Sequence, residues 1–189
     1  MDKKRRVQNA VLLTPRDPEE ASGLKGGKII PFKFNTKGEQ GNENGYIYEP
    51  GAFDKFIELY YQNNGIAPLF CIQHLEDLDH IAGRVISLET DDKTGEVSGE
   101  AWLSPNALHY DKILGLIEDK IFTHVSDCEL LDDFKVEDDG HIIRITEASL
   151  IHVSLVTMPS DTGAVIGKNK KFDLAKNDIE SKREEVDYV

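Results

Sequence analysis

Short apolar runs separated by turn-forming residues make up most of this chain, and only two stretches switch to helical spacing. Val7 to Leu13 reads as a first strand, broken by Thr14-Pro15-Arg16-Asp17-Pro18. The glycine-rich stretch Gly23 to Lys28 leads into a short extended run, Ile29 to Phe34. Asn35 to Gly45 is polar and turn-rich, and is expected to be a mobile loop. After Pro50-Gly51, Phe53, Phe56, Ile57 and Tyr60 recur at helical spacing, which predicts a helix over Ala52 to Asn63. Ala67 to Gln73 is a compact apolar run that reads as a buried strand ending at His74. Ile81 to Thr90 and Glu96 to Leu103 flank Asp91-Asp92-Lys93-Thr94-Gly95, the pattern of a β-hairpin. Ser104-Pro105 supplies an N-cap and a proline at the first helical position, so a second helix is predicted to about Lys120. Leu108, Ile113 and Ile117 would face inward on it. Ile121 to Leu131 reads as a strand, Glu137 to Gly140 as a hairpin turn, and His141 to Thr157 as one long or two short strands ended by Met158-Pro159-Ser160-Asp161. The count is six or seven strands and two helices. Strands that follow one another through turns predict a mostly β fold with helices (α+β): a closed or nearly closed antiparallel barrel flanked by helices.

Composition narrows the picture. With 189 residues and 39% hydrophobic, the chain can bury roughly 70% of its unfolded surface as one domain. The longest apolar run, Ile66 to Ile72, has seven residues, far short of the roughly 20 a membrane helix needs. Val11-Leu12-Leu13, after the basic Lys3-Lys4-Arg5-Arg6, is too short for a secretory segment. Cys71 and Cys128 are too few for a disulfide framework and suit a reducing compartment. Of 22 basic and 35 acidic residues, the first six positions hold four and one, and 167–189 hold six of each. That leaves 12 against 28, or −16, in 7–166. Three parts are therefore expected: a basic arm (1–6), an acidic folded domain (7–166), and a charged tail (167–189) that is a frayed helix or disordered. The acidic excess argues against nucleic acid as a partner.

Six histidines are the candidate chemistry, and His74, His124 and His152 stand near or within apolar strands. Each reads alone as a hydrogen-bonded sheet histidine or as a catalyst. His-Val-Ser occurs twice, at 124–126 and 152–154, so on each strand the histidine and serine share a face. A base for a serine normally arrives from another strand, which two such strands would allow. The cluster His74-Leu75-Glu76-Asp77-Leu78-Asp79-His80 opens a metal-dependent alternative beside the reading of a solvated acidic loop. Its spacing matches no metal-binding helix, and the turns Asp132-Asp133 and Glu137 to Asp139 lack a calcium-loop signature.

Four segments, in order, resemble the phage prohead (capsid maturation) protease family. Tyr48-Glu49-Pro50-Gly51-Ala52-Phe53 is similar to the family's Gly-Ala-Phe segment. Gln73-His74, followed by Ile81-Ala82-Gly83-Arg84, is similar to the segment carrying the catalytic histidine. Leu114 to Val125-Ser126 resembles the helix-then-serine segment of the nucleophile, and Ile145 to Ser160 the closing Glu-Val-Ser-Leu-Val segment. There are two departures. Ser126 is followed by Asp127-Cys128-Glu129 rather than by a hydrophobic residue and glycine, and His152 stands where many phage members have Glu. Herpesvirus maturation proteases, which share the fold, place a histidine in a similar strand and use a Ser-His-His triad. Their oxyanion-supporting Gly-Arg-Arg is absent here, where Thr157 to Gly163 occupies the place.

The resemblance implies a serine endopeptidase that cleaves scaffold and capsid precursors, and itself, inside the assembling prohead in the host cytoplasm. It implies Ser126 as nucleophile, His74 as base and His152 as third member, with Glu147 in reserve. A neutral third member implies a slow enzyme. It also implies a homodimer and neither cofactor nor metal. Two competing readings are an inactive scaffold or core protein of the same fold and a metal-dependent hydrolase.

Overall fold

The computed structural model describes residues 23–63, 65, 67–137 and 141–166; of Tyr60 and Tyr61 it describes the backbone only. The basic arm, the strand expected at Val7 to Leu13, the turn at Asp138 to Gly140 and the charged tail lie outside these residues.

Among the described residues there are eight strands: β1 (Lys28–Phe34), β2 (Tyr46–Tyr48), β3 (Leu69–Ile72), β4 (Ile81–Thr90), β5 (Val97–Leu103), β6 (His124–Glu137), β7 (Ile142–Val156) and β8 (Val165–Ile166). Seven of them close into a barrel in the order β7-β3-β4-β5-β1-β8-β6, with β6 pairing back to β7. β2 adds to the first half of β7. Closure leaves no free edge in the ring. The expected barrel is thus present, although one pairing of the ring, β3 with β7, is parallel, as is that of the added β2 with β7. The core inside the ring is apolar, with Ile30, Phe32, Phe34, Phe70, Leu103 and Leu155 fully buried.

The Gly-Ala-Phe segment locks β2 and β7 together. Glu49 donates its N–H to the Ile145 carbonyl, and Ala148 donates to the Ala52 carbonyl, at 2.9 and 2.8 Å. Phe53 then packs edge-on against Phe34 and stacks on Tyr48, at 5.7 and 5.4 Å between ring centres.

The two helices depart from their predicted extents. The first has one α-helical turn, α1 (Asp54–Phe56), and continues as wider π-helical turns over Ile57–Asn63. Phe53, Phe56 and Ile57 reach the core, whereas Glu58, Leu59, Gln62 and Asn63 are exposed. The second helix, α2 (Tyr110–Glu118), starts later than the Ser-Pro signal suggests. Two successive turns come first, Ala107 N–H to Ser104 O and Tyr110 N–H to Ala107 O. Ile113 and Ile117 are buried as expected, but Leu108 lies ahead of the helix and is 63% exposed.

Candidate active site

The register of β6 against β7 sets the site. Ser126 stands opposite Ser154, and Cys128 opposite His152. Opposed residues and residues two apart share a face, so these four lie together on one side of the hairpin. The other side carries Val125 and Val153 into the barrel core.

β3 runs along the other edge of β7, with Cys71 beside Ser154 and Ile72 beside Leu155. Beyond β3 the chain turns sharply. Gln73 and His74 both adopt left-handed backbone conformations, at φ 53° and 59°. Such residues persist only where their surroundings enforce them. Here Gln73 donates its N–H to the Leu155 carbonyl at 2.9 Å, and His74 donates its N–H to Ser154 Oγ at 3.1 Å. The turn folds the His74 ring back over β7, where its Nδ1 lies 2.9 Å from His152 Nε2. His152 is 2% exposed, and its Nδ1 is 2.7 Å from Glu76 Oε1.

His74 and Ser126 line one cavity of about 270 Å³, shared with Tyr48, Asp127, Glu129 and Met158. Ser126 is 8% exposed, and its hydroxyl donates to the Asp127 carbonyl at 3.5 Å. Partial burial, reinforced by the neighbouring His152, lowers the pKa of His74, so the neutral base persists to lower pH than in a free histidine.

The cavity wall holds a carboxyl pair that sequence reading passed over. Burial, then the charge of Glu129, raises Asp127 well above the ordinary carboxylate range. Glu129 is also raised by burial, while it accepts hydrogen bonds from Tyr48 and from Asp127. The two carboxyls therefore titrate as a pair, and burial holds a shared proton between them to higher pH than either would keep alone. Burial raises Tyr48 as well, so its phenol stays a donor. The two cysteines are thiols: burial pushes Cys71 up to about 11 and raises Cys128. The only sequence signal for this wall was the acidic run after Ser126.

The remaining candidates sit apart. His124 Nδ1 pairs with the Thr123 hydroxyl at 2.9 Å. Glu147 forms an ion pair with Lys55. His80 Nδ1 meets Asp77 at 2.6 Å while His74 turns to His152, so the two histidines of the acidic cluster have separate partners. Among the described residues, no group of three or more His, Cys, Asp or Glu is placed to hold a metal ion. The segment in the place of the herpesvirus Gly-Arg-Arg is tied down by Asp161, which accepts from the Thr36 N–H at 2.6 Å and the Gly163 N–H at 2.9 Å.

No family model and no curated protein matches the chain. Among solved structures, it is similar to the bacteriophage T4 capsid assembly protease, gp21. The likeness has a TM-score of 0.58 at 19% sequence identity, over 76% of this chain and 90% of that one. At this identity the likeness concerns the fold alone: the barrel described here is similar in architecture to that of the T4 protease.

Proposed function

We propose that this protein is a capsid-maturation serine endopeptidase, with Ser126 as nucleophile, His74 as general base and His152 as third member. One observation carries the reading: His74 Nδ1 is hydrogen-bonded to His152 Nε2, and His74 and Ser126 line the same cavity. The arrangement leaves His74 Nε2 free to take a proton.

In the proposed reaction Ser126 Oγ attacks the scissile carbonyl as its proton passes to His74. His74 then gives that proton to the departing amine, and water completes hydrolysis of the acyl-enzyme by the reverse sequence. The lowered pKa of His74 keeps it neutral, and so competent as a base, in mildly acidic solution. The fold's likeness to a capsid assembly protease supports capsid precursors as substrates; scaffold precursors and the chain itself are the further substrates we propose. The likeness also supports action inside the assembling capsid. The Ser-His-His set would be of the herpesvirus type.

A second reading is an inactive scaffold protein of the same fold. It is favoured by the Ser126 hydroxyl, which points its proton at the Asp127 carbonyl. An intact-mass time course separates the two, comparing wild type with Ser126→Ala, with and without chelator and capsid precursor. Cleavage by wild type alone, unaffected by chelator, is the result expected of the serine protease. Loss of cleavage on chelation would favour the metal-dependent alternative. No cleavage of any substrate would favour the scaffold.

A further inference from the structure

We propose that Glu76 is a positioning residue, whose carboxylate sets the tautomers of His152 and His74 in series. This rests on the reading of Ser126 as nucleophile and His74 as base.

The argument is one of donors and acceptors. A carboxylate only accepts, so the contact of 2.7 Å puts a proton on His152 Nδ1. A neutral imidazole carries one N–H, so His152 Nε2 must accept. The contact of 2.9 Å to it then puts the proton of His74 on Nδ1. His74 Nε2 is left with a free lone pair, the form a general base requires. Without Glu76, His152 has no anchored tautomer and could equally donate to His74, which would leave the proton of His74 on Nε2.

Glu76 also supplies the charge that a histidine third member lacks. Its carboxylate stabilises positive charge arriving on the two rings as Ser126 loses its proton. It is half exposed at 50%, so solvent screens part of this effect. The sequence hid the role because Glu76 sits in a run of acids that reads as a solvated loop.

Other ionisable groups lie close by: Glu129 on β6 interacts with His152, and Cys71 on β3 and Cys128 on β6 interact with Glu76. The test therefore reads each imidazole separately. Ring ¹⁵N spectra of the full chain are recorded against pH for wild type, Glu76→Gln and Glu76→Ala. The phosphonylation rate of Ser126 by a fluorophosphonate probe is followed in parallel.

Gln keeps an oxygen acceptor, gains an amide donor and loses the charge. Glu76→Gln is expected to weaken the tautomer preference, because its amide can donate to His152 Nδ1 as well as accept, to titrate the His74 ring at lower pH than wild type, and to slow phosphonylation several-fold. Glu76→Ala is expected to mix the tautomers and slow it about ten- to a hundredfold, the range seen when a partner orienting an imidazole is lost. A purely structural role would not lower the titration of His74 in the Gln variant. Wild-type tautomers, titrations and rates in both variants, with Ser126 still labelled, would overturn the role of Glu76 alone. No labelling of Ser126 in wild type would overturn the protease reading, and this role with it.

Discussion

His74 is held by its backbone as much as by its ring. Its left-handed conformation, and that of Gln73, belong to a turn whose stability depends on bonds to β7. Ser154 is fully buried, and its hydroxyl accepts the His74 N–H. Ser154→Ala should therefore destabilise the fold by about 1 kcal/mol, the net worth of a part-buried hydrogen bond. It should lower activity more than stability explains, because the ring of His74 loses its fixed approach to His152. Denaturant melts beside cleavage rates at a temperature where the variant is folded would check this; an unchanged rate would show that the turn holds itself. Very little of this was legible locally. His74 and His152 are 78 positions apart, and no periodicity announces that they meet. The order of four motif-like segments pointed to them, whereas the residues alone left each histidine as a sheet residue or a catalyst.

At the scale of elements, legibility followed local chemistry. The β4–β5 hairpin was readable because its turn is self-contained: Asp91 Oδ1 accepts from the Lys93 and Thr94 N–H groups, and Gly95 takes a φ of 71°. β2 and β8 were not readable, having three and two residues whose order comes from partners rather than from any pattern of their own. The first helix was readable as helical but not as a π-helix, since Phe53, Phe56 and Ile57, its buried apolar residues among those described, lie at or before the first widened turn. Gly83 bears on whether the ring can close. A Cβ there would lie 1.8 Å from the Trp102 carbonyl oxygen, on the backbone of β5, which cannot yield as a side chain can. Gly83→Ala should separate β4 from β5 and cost about 3 kcal/mol or more, as overpacking of a rigid contact does. Thermal unfolding would measure it, and a melt within a degree of wild type would refute the packing argument.

The whole molecule is acidic, with a formal charge of −13, and its stability should follow pH through the buried carboxyls of the cavity wall. Asp127 and Glu129 both bind protons more tightly folded than unfolded. Their contribution is thus full at pH below the ordinary carboxylate range and is lost as pH rises through the raised folded values. Glu129→Gln removes one of the two charges yet leaves an oxygen for Tyr48. It should raise the Tm at pH 8 by about 2–4 °C for each kcal/mol recovered, and leave it nearly unchanged at pH 4. Equal shifts at both pH values would contradict the shared-proton account. The central claim, however, is that this barrel carries an activated serine. The most direct test is to treat the native chain with a fluorophosphonate and locate the adduct by peptide mass spectrometry. The account predicts one adduct, on Ser126, absent in Ser126→Ala and formed at least about a hundredfold more slowly in His74→Ala, the usual worth of a general base. No adduct on the native chain, or one elsewhere that survives Ser126→Ala, would contradict it.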